Sequence, residues 1–82
     1  MLLHQEMTVT VPREWLEALA LRVNLRRLEW LVIAIVLTSP GSVSSARVAK
    51  RLRLDYGLIK RIVRELIQWN ILERVPAVFM HM

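Results

Sequence analysis

The spacing of hydrophobic residues changes along the chain, and each change marks the start of a predicted element. Residues 7–11, MTVTV, alternate and are mostly β-branched, and Pro12 closes them, which predicts a short strand or extended arm. From Arg13 to Val23 the apolar positions recur with a helical period, which predicts an amphipathic helix of about 11 residues. Residues 1–23 are therefore expected to form an arm and a helix that serves dimerisation.

The next predicted helix, from Leu25 to Leu37 or Thr38, is apolar around nearly its whole circumference. Asn24 can cap its first turn, although the sequence leaves open whether the chain breaks there or runs straight through from the first helix. A helix that is apolar on all sides has to be covered on all sides. Because a domain of 82 residues has few other residues with which to cover this helix, the pattern indicates a partner subunit.

Local start and stop signals predict two more helices after the break at residues 39–41, SPG. Ser44 is expected to cap a helix over residues 45–52, because its hydroxyl can accept a free backbone N–H of the first turn. Asp55 is expected to cap a longer helix over residues 56–69 in the same way. Their apolar residues predict one buried stripe on each helix.

Asn70 suits the left-handed residue that often follows the end of a helix. The tail is predicted to form a two-stranded ribbon from residues 71–75 and 78–80. The expected fold class is therefore mostly α with a small β ribbon.

Composition limits the kinds of site that the chain can carry. Of 82 residues 55% are hydrophobic, none is cysteine and two are histidine, so disulfides and thiolate metal sites are excluded and no cofactor is expected. No serine has the partners of a nucleophile, so no enzymatic activity is expected. The longest apolar run, residues 30–37, is far shorter than the roughly 20 residues of a membrane span. Since the start resembles no secretory signal, the protein is expected to be cytoplasmic and associated with the nucleoid.

Positive charge is concentrated in one quarter of the chain. The net charge is +5, from 12 basic and 7 acidic residues. The window 44–64, which we call the basic window, holds seven basic residues and a single acidic residue, Asp55, whereas the rest of the chain has slightly more acids than bases. A surplus confined in this way is typical of a surface that binds a polyanion, most often nucleic acid.

One succession of residues resembles a known family. Segment 44–55, SSARVAKRLRLD, is followed by Ile59, Val63 and Leu66 at helical spacing, and then by segment 70–74, NILER. This succession resembles the winged helix-turn-helix family, particularly its MarR-like and related prokaryotic and archaeal regulators. The resemblance spans residue 24 to about residue 80, preceded by the arm and the extra helix. Arg53 lies where the family often has glycine in the turn, so the resemblance implies a positive φ there at a cost of about 1 kcal/mol. The resemblance also implies a regulator that binds double-stranded DNA as a homodimer, with the last helix in the major groove.

The candidate site residues follow from helical geometry and from this resemblance. The DNA-binding candidates are Ser45, Arg47, Lys50, Arg51, Tyr56, Gly57, Lys60, Arg61, Arg64 and Gln68. Arg61 and Arg64 are the candidates for bidentate contact with guanine, and Lys60 is a candidate for phosphate contact. The candidate dimer interface consists of the apolar residues Trp15, Leu16, Leu19, Val23, Trp30, Ile33 and Leu37.

Two other interpretations stay open at the level of sequence. The first is a winged-helix interaction subunit, whose apolar helices dock on a larger machine for transcription or replication. The second takes segment 8–16, TVTVPREWL, as similar to the strand and helix that open ribbon-helix-helix repressors, whose paired strands enter the major groove. More simply, that strand is an arm that crosses to a neighbour or joins a sheet edge. Whether a small-molecule effector controls binding is not visible in the residues.

Overall fold

The computed structural model describes residues 8–22 and 24–75, which form four helices and a small antiparallel sheet. This composition confirms the expected class of a mostly helical chain with a small β component. In chain order the elements are β1 (Thr8–Thr10), α1 (Trp15–Ala20), α2 (Arg27–Thr38), β2 (Val43–Ser44), α3 (Ser45–Leu52), α4 (Tyr56–Gln68) and β3 (Glu73–Val75).

The core forms where α2, α3 and α4 pack on one another and on one face of the sheet. Each of these helices contributes one apolar stripe, and Ile71 and Leu72, between α4 and β3, complete the core. Other large apolar side chains with almost no exposure include Val32, Ile33, Val48, Ile59 and Leu66.

The predicted signals at the ends of α3 and α4 are confirmed. The Ser44 hydroxyl accepts a hydrogen bond from the backbone N–H of Arg47 at 3.1 Å, and the Asp55 carboxylate accepts one from Leu58 at 3.0 Å. α3 has the predicted bounds, and α4 ends one residue earlier than predicted. Arg53 and Asn70 both have positive φ, 58° and 62°, as expected.

Replacing Arg53 with glycine is expected to raise the free energy of unfolding by about 1 kcal/mol, because glycine adopts this φ without a steric conflict at Cβ. In a domain of this size that gain corresponds to a rise in Tm of about 4–8 °C, measurable by circular dichroism. Asn70→Gly is the matched control and should gain less, since asparagine tolerates the left-handed region better than arginine. A fall in Tm for Arg53→Gly would show that the arginine side chain contributes more than its backbone costs.

The first helix is shorter than predicted, and the second begins later. α1 covers six residues, and none of its side chains is fully buried, so little packing energy is available to extend it. The N-cap of α2 is Arg26 and not Asn24. The reason is Glu29, whose carboxylate accepts the backbone N–H of Arg26 at 2.8 Å and so satisfies the start of the helix from inside its first turn.

The N-terminal segment, predicted to be a short strand or an extended arm, forms a strand in the middle of the sheet. The strand order is β2-β1-β3, and β1 is antiparallel to both neighbours. Both edges of β1 are thus paired within the chain, whereas an arm that joins a sheet edge has one edge unpaired. Paired in this way, β1 has no free edge with which to form the paired strands of a ribbon-helix-helix repressor. β3 pairs with β1, whereas its predicted ribbon partner, residues 78–80, lies outside the described residues.

Candidate nucleic-acid interface

The outward face of α4 is polar and basic. At 100° per residue, the buried stripe of Ile59, Ile62, Val63 and Leu66 occupies one side of this helix. Five predicted DNA-binding residues lie on the other side and are exposed: Gly57, Lys60, Arg61, Arg64 and Gln68. Tyr56, also predicted, is exposed at the start of the helix, at the edge of the buried stripe. The separation of the two sides matches the prediction from the sequence.

The basic residues of α3 are also exposed, while its hydroxyl residue is partly covered. Val48 and Ala49 are buried, and Arg47, Lys50 and Arg51 project into solvent. Ser45, at the first position of the helix, is half-buried. All the basic side chains of α3 that were predicted to contact phosphate are therefore accessible to solvent.

Few of these positive charges are neutralised by the protein itself. Asp55, the one acidic residue of the basic window, is used as the N-cap of α4. Within residues 8–22 and 24–75, the ion pairs are those of Arg26, which lies 3.3 Å from Glu29 and 3.9 Å from Glu65. The arginines and lysines of α3 and α4 therefore have no carboxylate within 4.0 Å in that part of the chain, and their charge is available to an anionic partner.

Tyr56 and Gly57 at the start of α4 have structural roles of their own. The Tyr56 ring is 47% exposed, and the Lys60 ammonium lies 5.2 Å from its centroid, within range of a cation–π contact. A Cβ on Gly57 would lie 3.0 Å from the Asp55 carboxylate oxygen that caps the helix. The lack of a side chain at residue 57 thus protects the cap, whether or not DNA approaches there.

A small depression beside α4 brings together residues that are far apart in the sequence. It has a volume of about 80 Å³. Ser45 of α3, Tyr56, Lys60 and Arg64 of α4, and Arg74 of β3 line it, together with apolar side chains. Arg74 was not among the predicted site residues, because it lies outside the basic window and reaches α4 only through the pairing of β3 with β1.

Arg61 lies on the other flank of α4, in a cleft of about 350 Å³. Apolar side chains and two arginines from the start of α2, Arg26 and Arg27, line this cleft as well. Glu29 and Glu65 also line it, and Arg26 is paired with both of them. Within the described residues Arg27 has no carboxylate within 4.0 Å, so positive charge without an ion-pair partner extends from α4 to Arg27. Sequence reasoning missed this arginine as well, since no linear charge window joins it to α4.

The basic surface ends where α1 meets the C-terminal part of α4. An open groove of about 630 Å³ at this place is lined by Glu14, Glu17 and Glu73, with Arg74 as its one basic residue. An acidic lining repels a polyanion. This groove therefore marks a boundary of the surface that suits nucleic acid.

The residues predicted for a dimer interface fall into different environments. Ile33 is 1% exposed and lies in the core, so its assignment to an interface is wrong: a helix that is apolar all round does not reveal by its period which side turns inward. Trp15 and Leu19 are half-buried, Leu16 is exposed, and Val23 lies outside the described residues.

One apolar stripe of α2 stays open to solvent, and it contains two of the predicted interface residues. We call it the α2 stripe, and it consists of Trp30, Leu31, Ala34 and Leu37. Its large side chains are 39–48% exposed, whereas the opposite side of the same helix is almost completely buried. Leu31 and Ala34 were not predicted for the interface. The reason is the same as for Ile33: the apolar pattern of α2 does not show which side of the helix is buried.

The described residues form neither a cluster of metal ligands nor a helix that could span a membrane. In residues 8–22 and 24–75, no three acidic or histidine side chains lie together as metal ligands do. No helix in this part of the chain has both the length and the apolar composition that crossing a bilayer requires.

Comparison with protein-family models, with curated proteins and with solved structures finds no match to this chain. What the surface binds must therefore follow from its own charge and shape.

Proposed function

We propose that the protein is a sequence-specific regulator that binds double-stranded DNA as a homodimer, with α4 in the major groove of a winged helix-turn-helix. The observation that carries this proposal is the outward face of α4, where basic side chains that have no carboxylate partner among the described residues lie opposite a buried apolar stripe. A helix of this kind fits a major groove about 12 Å wide. Arg61 and Arg64 then contact guanine edges, and Arg47, Lys50 and Arg51 of α3 contact phosphates.

The arrangement of α3 and α4 supports the same proposal. Three residues separate the helices, and the left-handed Arg53 makes the sharp turn between them. Because α3 packs against α4, the exposed arginine and lysine side chains of α3 lie beside α4. They can contact the DNA backbone while α4 lies in the major groove. The wing of the family would begin with β3 and continue in the residues that follow it, which lie outside the described part of the chain.

The α2 stripe supports the proposed dimer. Two copies related by a two-fold axis near Ala34 would pack their α2 helices side by side and antiparallel. In that arrangement Arg27 of each copy approaches the C-terminal end of the other α2, which carries no basic residue in its own last turn. A positive side chain there complements the helix dipole, so the charge pattern as well as the apolar surface fits a second copy.

The direct test is titration of a duplex of random sequence at several salt concentrations. If each protomer neutralises roughly six phosphates, the log–log plot of affinity against salt should have a slope on the order of −5 per protomer. Light scattering on the same sample should report twice the mass of one chain. A slope near zero, with weak binding at low salt, would contradict the DNA proposal regardless of the oligomeric state.

The α2 stripe also fits a second candidate function, that of an interaction subunit. An exposed row of large apolar side chains is equally suited to the surface of a larger assembly. The two functions differ in the state of the isolated protein. A monomer that binds DNA weakly would favour the interaction subunit, because a self-contained regulator needs its own two-fold partner.

A further inference from the structure

The depression beside α4 collects positive charge from two separate elements. Lys60 and Arg64 lie one turn apart on α4, and Arg74 comes from β3. Arg74 is paired with Val9 of β1, and residues directly opposite each other in an antiparallel pair point to the same face. Since Val9 is buried against the helices, Arg74 also turns toward α4 and not to the outer face of the sheet.

This grouping is electrostatically unfavourable as long as no anion is present. Like charges four residues apart on a helix destabilise it by a few tenths of a kcal/mol, and Arg74 adds a third charge to the pair. No acidic residue lines the depression, and in residues 8–22 and 24–75 none of the three basic side chains has a carboxylate within 4.0 Å. Arg74 lies at the boundary of the basic surface, because it also lines the neighbouring acidic groove. An anion that entered would relieve the repulsion among all three.

The size of the depression selects the kind of anion. A volume of about 80 Å³ is too small for a nucleobase or for a small-molecule ligand, which needs roughly 300 Å³ or more. A tetrahedral oxyanion fits. The hydroxyls of Ser45 and Tyr56, which also line the depression, can donate hydrogen bonds to its oxygens beside the charged donors.

We infer that this depression binds a single backbone phosphate of the DNA duplex that α4 reads, and that Arg74 is a DNA-contacting residue. The inference rests on the proposed function. Arg64 belongs both to the outward face of α4 and to the lining of the depression. A phosphate bound here by Lys60 and Arg74 therefore fixes the position of the adjacent base edge relative to Arg64. Phosphate contacts of this kind set the register of a protein on DNA.

The first arm of the test measures phosphate binding without DNA. Sodium phosphate at constant ionic strength, balanced with sodium chloride, is expected to raise the Tm of the wild type by about 5 °C at saturating concentration. Because phosphate also stabilises proteins through exclusion from their surface, the readout is the difference between variants. Arg74→Gln and Lys60→Gln should each lose most of the rise. Arg13→Gln, which removes the same charge from an exposed position outside the depression, should keep it.

The second arm measures DNA. Arg74→Gln should lower affinity for all duplexes by a similar factor and should reduce the magnitude of the salt slope by about 1, whereas Arg13→Gln should leave the slope unchanged. A phosphate effect on Tm without a change in slope would overturn the assignment to the DNA backbone and identify a site for free phosphate. Loss of neither signal in Arg74→Gln would overturn the site itself. If the wild type binds phosphate but no DNA, the proposed function fails and the anion site stands with a free phosphate as its ligand.

Discussion

Replacing Arg61 and Arg64 together with alanine should lower affinity for a selected DNA duplex by about two orders of magnitude. A bidentate contact between arginine and guanine is worth about 1–3 kcal/mol of discrimination, and each 1.4 kcal/mol is a factor of ten. Both side chains are exposed on α4, opposite its buried stripe, so their removal should leave the fold intact. The duplex would be obtained by selection from a random library with the wild-type protein, and affinity would be measured by fluorescence anisotropy.

The control for this experiment separates base reading from simple loss of charge. Arg13→Ala with Arg22→Ala removes two exposed arginines from outside the basic window. That control should bind the selected duplex with an affinity close to that of the wild type and should still prefer it to a random duplex. Lys50→Ala should weaken binding to both duplexes by the same factor, because a phosphate contact carries no sequence information. Unchanged preference in the Arg61/Arg64 variant would show that α4 does not read bases.

The second half of the chain could be predicted closely because its signals are local. Ser44 and Asp55 accept the N–H groups of residues three positions later, and the left-handed Arg53 and Asn70 follow the helices that they end. Each of these signals depends on a few neighbouring residues. The outward face of α4 follows directly from its bounds and its period.

The N-terminal half could not be predicted as well, because its structure depends on distant residues. β1 is held by strands that lie more than 30 residues away in the chain, and no local pattern specifies that pairing. The start of α2 is set by the carboxylate of Glu29, which is 2% exposed, a degree of burial that the sequence does not suggest for a glutamate. The orientation of α2 is likewise a tertiary choice, because apolar residues cover all of its sides.

The residues of the candidate site differ in the same way in how well the sequence predicts them. Every basic residue of α3 and α4 was identified from its position in the sequence. Arg27 and Arg74 were not, since they join the basic surface only when α2 and β3 pack beside α4. A surplus of charge within a window of sequence identifies the helices that carry a surface, but the residues at its margins come from the fold.

Replacing Ala34 with glutamate should convert the proposed dimer into a monomer. Ala34 is exposed at the centre of the α2 stripe, and glutamate is a good helix former, so the single chain should keep its fold. At a two-fold axis each new carboxylate would face its own copy, and such like-charge contacts cost several kcal/mol. Light scattering across a concentration series should show the mass of one chain. Affinity for a symmetric duplex should fall by about 100-fold or more, because a monomer holds only one half-site.

Ala20→Glu is the matched control for this variant, since it makes the same change on an exposed position of another helix. It should remain dimeric, because Ala20 lies outside the α2 stripe. Dissociation of both variants would place α1 in the interface as well, together with its exposed residue Leu16. A dimeric Ala34→Glu protein would exclude the α2 stripe as the contact between copies. That result would favour the interaction subunit, in which the α2 stripe binds a different protein.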